Sequence, residues 1–269
     1  PILAAQLSTE KRRPLGVGII NFAYWLAKHD LTYQNIDEDG LALVDEWAEA
    51  WSYYLIKASA DLAVEQGAIS GNMETKYGHG ITPNQTYKKD LDELIPHVER
   101  QDWAGLREQL KATGIRNSTL MALMPSETSA QIANATNGIE PPRSLISVKQ
   151  SKHGVLKQVV PEFKRLKNKY DLLWDQQSPE GYLKIMAVLQ KYIDQGISVN
   201  TSYNPAYYED EKIPMSTMLQ HLLMFYKLGG KQLYYFNTND GQGEIDVSKM
   251  MGELEVVQTD EEACESCTI

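Results

Sequence analysis

Cysteine is missing from the first 263 residues of this 269-residue chain, and its two cysteines, Cys264 and Cys267, fall in the closing stretch "EEACESCTI". That distribution excludes a disulfide framework. No apolar run approaches the roughly 18 residues that cross a bilayer, and the first residues lack a signal-peptide pattern, so the chain reads as cytoplasmic with no membrane partner. The five histidines, His29, His79, His97, His153 and His221, share no ligand spacing with each other or with the cysteines, and two cysteines make only half of a tetrahedral zinc site. No bound metal is expected. Gly16 and Gly18 lack a third glycine, since Asn21 stands in its place, which excludes a dinucleotide loop.

A basic excess is missing too. The formal net charge is −10, and residues 240–269 hold nine acidic residues against one lysine, Lys249. The rest carries 27 acidic and 25 basic residues, which excludes a broad basic face for nucleic acid. The acidic end reads as a flexible, solvated tail. Gly241 and Gly243 mark its boundary, giving a folded body over residues 1–239 and a tail over residues 240–269.

Within the body, residues 1–14 read as a loose polar lead-in, followed by a short strand and a helix in "LGVGIINFAYWLAKHD". Residues 41–66 carry an apolar stripe of Val44, Trp47, Trp51, Leu55, Ala58 and Leu62 at helical spacing, ended by Gly67. Two short helices broken at Pro96 come next. "NSTLMALMPSETSAQIANATNG" changes from strand to helix after Met124, and "PPRSLISVKQSKHGVLKQVV" reads as an exposed hairpin turning near His153-Gly154. Helices near 161–175 and 180–195, a strand in "GISVNTSYN", a helix over 215–228 and a strand in "KQLYYFNT" complete an α/β pattern with largely parallel pairing.

Three stretches can carry chemistry. In "PSETSAQ" a strand ends and a helix opens, so backbone N–H groups, the helix dipole and the hydroxyls of Ser126, Thr128 and Ser129 converge as a phosphate or diphosphate site needs. A plain helix cap accounts for the same residues. Tyr234-Tyr235 is one of three adjacent tyrosine pairs, with Tyr53-Tyr54 and Tyr207-Tyr208, and strand alternation sends such neighbours to opposite faces, so packing is its ordinary reading. The C-x-x-C pair lies among Glu261, Glu262 and Glu265, which disfavour a thiolate, so it reads as an exchangeable redox carrier rather than a preorganised nucleophile.

"PLGVGIINFAYWLAKH", "ETKYGHGITPNQTYKKDLD", "GIRNSTLMALMPSETSAQIANATNGIEPP", "KYIDQGISVNTSYNP" and "LGGKQLYYFNTNDG" together resemble, in order, the C-terminal part of the catalytic large subunit of class I ribonucleotide reductases. The resemblance runs from about Pro14 to the end. It implies an α/β fold, the C-terminal half of a ten-stranded barrel with a flexible acidic tail. It implies substrate-diphosphate binding at Ser126, Glu127, Thr128 and Ser129. Tyr234 and Tyr235 become the last relay of a radical arriving from a metal-containing small subunit. Cys264 and Cys267 become the thiols that re-reduce an active-site disulfide and are themselves reduced by thioredoxin or glutaredoxin.

Two departures stand beside it. The family commonly spaces its tail cysteines more widely. The chain also has no N-x-C-x-E thiyl-radical motif and no cysteine left for the two substrate-reducing positions. The expectation is a split or processed part of a ribonucleoside-diphosphate reductase, binding no cofactor itself and inactive without an N-terminal segment. The rival readings are a docking remnant for the small subunit and a stand-alone C-x-x-C oxidoreductase.

Overall fold

The helical pattern over residues 41–66 becomes α3 (Glu38–Gln66) in the computed structural model, which describes residues 2–151 and 154–239. Asp37 caps α3 by accepting the Gly40 N–H at 2.8 Å, and Gly67 ends it in left-handed backbone at φ 81°. The buried face overlaps the expected stripe at Val44, with the rest of the stripe at its margin or outside it. Leu41, Val44, Ala48, Ile56 and Ala60 face the core, while Trp47, Trp51 and Leu55 are only partly buried and Ala58 and Leu62 are exposed. The rotation has a physical cause, because the true core face also carries Asp45, Glu49, Ser52 and Ser59, all buried and all hydrogen-bonded.

Those polar groups tie α3 to its neighbours. The Asp45 carboxylate accepts from Lys191 Nζ (2.8 Å), the Tyr192 hydroxyl (2.9 Å) and Arg100 Nη1 (2.9 Å). Glu49 accepts from the Arg100 backbone N–H (2.6 Å) and Trp103 Nε1 (2.9 Å). Lys191 and Asp45 are both fully buried, so removing one strands the other's charge. Asp45→Ala should therefore cost about 3–5 kcal/mol in denaturant unfolding. Adding Lys191→Met should recover much of that loss. A loss below about 1 kcal/mol in the single variant would show that the pair is solvated.

Parallel pairing runs through four segments: Val17 bridges Met121, Leu123 bridges Ile197, and β3 (Val199–Tyr203) pairs with β4 (Leu233–Thr238). The strands expected before α2 (Phe22–Lys28) and before Met124 are thus reduced to single bridges. Helices α4 (Trp103–Thr113) and α7 (Glu180–Gln190) pack on α3, and α8 (Met215–Lys227) joins β3 to β4. The segments before Pro96 are 3₁₀ turns, Pro83–Gln85 and Lys89–Glu93. The expected hairpin forms from β1 (Ile146–Ser151) and β2 (Gly154–Val159), antiparallel, with turn position 153 outside the described residues.

Two expectations are corrected. The lead-in forms helix α1 (Leu3–Arg12), which buries no residue and is held through the Lys11 and Arg12 ion pairs with Glu74. No polar-composition rule reveals such a helix, because its support comes from a distant residue. The helix expected near 161–175 shrinks to α6 (Phe163–Leu166) and a 3₁₀ turn at Leu173–Asp175. Glu162 enters left-handed backbone at φ 49°, and the Tyr170 hydroxyl donates to the Pro161 carbonyl (2.8 Å), which closes the segment into a compact loop.

Two elements leave large apolar side chains exposed. On α8, Met215, Leu219, Leu222, Leu223 and Tyr226 are exposed, as are Tyr234, Tyr235 and Phe236 on β4. β4 pairs only with β3 among the described residues. None of the described helices is long and apolar enough to cross a membrane.

Candidate active site

The β3–β4 ladder contains an irregularity that decides how the tyrosine pair is presented. Val199 pairs with Leu233 and Thr201 with Phe236, so the single residue Asn200 stands opposite two, Tyr234 and Tyr235. This two-against-one count is a β-bulge, which bends a strand and re-aims its side chains. The alternation expected of neighbouring strand residues is broken here. The two phenol rings lie 4.3 Å apart between centroids instead of on opposite faces. The neighbouring Tyr235 hydroxyl raises the Tyr234 pKa above the usual phenol value.

Asn200 secures the bulge. Its Oδ1 accepts the Tyr235 backbone N–H at 3.0 Å, and its Nδ2 donates to Glu140 Oε1. The second Glu140 oxygen accepts from Asn137 Nδ2 at 3.2 Å. Burial raises the Glu140 pKa, opposed by the hydrogen bond from Asn200 and by the nearby Arg143 charge. The Tyr203 ring stacks on Phe236 at 4.9 Å, and its hydroxyl is hydrogen-bonded to His221 Nδ1 at 2.9 Å. Burial pushes Tyr203 up to about 12 and lowers His221.

The second stretch sits across a cleft of about 200 Å³. Ser126 precedes α5 (Glu127–Ile132), but its side chain makes no capping hydrogen bond and its buried Oγ has no partner. The plain helix-cap account therefore fails at the residue on which it depends. Glu127, Thr128 and Ser129 are exposed in the first turn of α5. Gly138, at φ 50°, lets the following loop pass close behind Ser126, since a Cβ there would lie 3.0 Å from its Oγ.

Glu127 and Tyr235 line this same cleft, joined by Asn137, Glu140, Arg143, Gln176, Asn200 and Asn237. Tyr234 and Ser126 are not among its lining residues. Asn137 Oδ1 and Gln176 Nε2 are buried at the cleft without a hydrogen-bond partner. Buried polar groups are normally satisfied, so unpaired ones lining a cleft point to a polar ligand. Cys264 and Cys267 lie outside the described residues. Among those residues no group of His, Cys, Asp or Glu is placed to hold a metal ion.

Sequence reasoning missed Glu140, Gln176, Asn200 and Asn237 as site residues. "NGIEPP" and "GISVNTSYNP" contain two of them, yet nothing in their spacing assigns a role.

The family model for the ribonucleotide reductase barrel domain matches residues 1–171 and 164–236. The chain is 53% identical over 247 residues to the ribonucleoside-diphosphate reductase subunit alpha of Haemophilus influenzae, covering 91% of this chain and 32% of that protein. It is 53% identical over 243 residues to the ribonucleoside-diphosphate reductase 1 subunit alpha of Escherichia coli K12, covering 90% and 31%. A phage T4 subunit alpha is 41% identical over 262 residues, covering 97% and 33%. The chain thus spans about a third of the length of these curated relatives.

Proposed function

The chain belongs to the ribonucleotide reductase barrel family and has its α/β fold, and on that premise we propose that it forms the C-terminal part of the catalytic barrel of a class I ribonucleoside-diphosphate reductase. The observation that carries this reading is the shared cleft, where Glu127 of the serine-rich turn and Tyr235 of the bulged strand face one space. Ser126, Glu127, Thr128 and Ser129 hold the substrate diphosphate. Tyr234 and Tyr235 pass the radical inward, each losing a proton with its electron. Cys264 and Cys267 reduce the disulfide left after each turnover and pass it to thioredoxin or glutaredoxin by thiol–disulfide exchange.

This chain is assigned no cofactor, since the radical originates at the metal site of a small subunit. The thiyl-radical cysteine and two substrate-reducing cysteines come from further polypeptide, joined to this one or separate, because both cysteines here are committed to the tail role. Those two thiols deliver two electrons and two protons, the ribose hydroxyl leaves as water, and the thiols close to a disulfide. The exposed apolar residues of α8 and the edge of β4, unpaired among the described residues, support assembly with that polypeptide, as half of a ten-stranded barrel requires.

The test is reconstitution. The 269-residue chain alone should give no deoxynucleotide, and activity should appear on adding a segment with N-x-C-x-E and a radical-loaded small subunit. Turnover by the pure chain would refute the reading.

A further inference from the structure

We propose that Asn200 and Glu140 are positioning residues for the tyrosine pair, a latch that holds Tyr234 and Tyr235 in the β4 bulge so that their rings meet and Tyr235 faces the cleft. This rests on the reading of the pair as a radical relay and adds two residues to which that reading gives no role. A bulge takes one backbone N–H out of the strand ladder. Here that N–H belongs to Tyr235, and Asn200 Oδ1 accepts it at 3.0 Å. The amide can do so in one orientation only, because its Nδ2 is committed to Glu140 Oε1. Glu140 is fixed in turn by Asn137 Nδ2 at 3.2 Å. Three segments far apart in the chain therefore converge on one backbone amide, next to two side chains that are themselves exposed. β4 has no second strand partner among the described residues, so the pair depends on this polar chain rather than on burial.

The contact between the two phenols reports the geometry, since the rings lie 4.3 Å apart and the neighbouring Tyr235 raises the Tyr234 pKa. The experiment places 3-fluorotyrosine at position 234 of the full chain and follows its titration by fluorine NMR. Asn200→Ala and Glu140→Leu should move the titration down, toward an isolated phenol. Glu140→Gln should leave it high, because the new amide oxygen still accepts from Asn200. Its NH2 can donate to Asn137 Oδ1, which has no partner, once the Asn137 amide flips.

An unmoved titration in folded Asn200→Ala overturns the proposal. If that variant does not fold, the contrast between Glu140→Leu and Glu140→Gln decides it, and equal titrations overturn it. In the assembled enzyme the two disruptive variants should lower kcat on the order of 10²-fold, the scale of a small misplacement of reacting groups, with KM little changed. Failure of the relay reading is a separate result: an active Tyr235→Phe enzyme would remove the relay and leave the titration contrast standing.

Discussion

Tyr235→Phe should abolish deoxynucleotide formation in the assembled reductase while substrate binding and stability stay as they were. Phenylalanine keeps the ring and its packing but has no O–H bond from which a proton and an electron can leave together. The side chain is 57% exposed, so losing one hydroxyl should change folding stability by no more than about 0.5 kcal/mol. A fall of roughly three decades or more in kcat, equivalent to about 4 kcal/mol on the barrier, then cannot come from unfolding. Tyr54→Phe is the matched control. Tyr54 also belongs to an adjacent pair, with rings 5.2 Å apart, and is also exposed, but it sits on α3 and does not line the cleft. The comparison is made by steady-state turnover and by equilibrium binding of the diphosphate substrate. Activity within tenfold of wild type in Tyr235→Phe would remove the relay assignment.

That contrast between two tyrosine pairs shows what sequence could and could not reveal. Adjacent tyrosines are common in this chain, and strand alternation argues that neighbours do not touch. The bulge reverses that argument, but a bulge is a property of two strands in register, and Asn200 lies 35 positions away from Tyr235. The register cannot be read from either segment alone. Local signals succeeded where the cause was local. The helix opening after Met124, the helix over 215–228 and the two strands that frame it all appear at the expected positions, while the strand before Met124 survives only as isolated bridges.

They failed where distant residues intervene. On α3 the apolar stripe read from the sequence is fully buried only at Val44, and Trp47, Trp51 and Leu55 pack at the margin of the core. The core face mixes Val44 and Ile56 with Asp45 and Glu49, whose burial depends on Arg100, Trp103 and Lys191 from other elements. The cleft has the same character. Glu127 and Tyr235 are found by motif, whereas Glu140, Gln176 and Asn200 become site residues only when three segments meet.

Replacing both Cys264 and Cys267 by serine should spare one turnover of a pre-reduced enzyme and stop the reaction afterwards when thioredoxin is the reductant. The first turnover draws on the substrate-reducing dithiol, which needs no tail. Every later one requires that disulfide to be reopened. On the proposed shuttle, a tail thiolate would attack it, a mixed disulfide would form, the second tail thiol would displace it, and the external dithiol would re-reduce the oxidised tail. The close C-x-x-C spacing favours ring closure between the two tail sulfurs. A small permeant dithiol, able to enter the site directly, should restore multiple turnover in the double variant, since it replaces the function of the tail and nothing else. The two rival readings separate on the same assay. A docking remnant predicts unchanged steady-state rates with thioredoxin, because its cysteines carry no electrons. A stand-alone oxidoreductase predicts that the wild-type chain, without any partner, reduces a model disulfide such as insulin and that the serine variant does not.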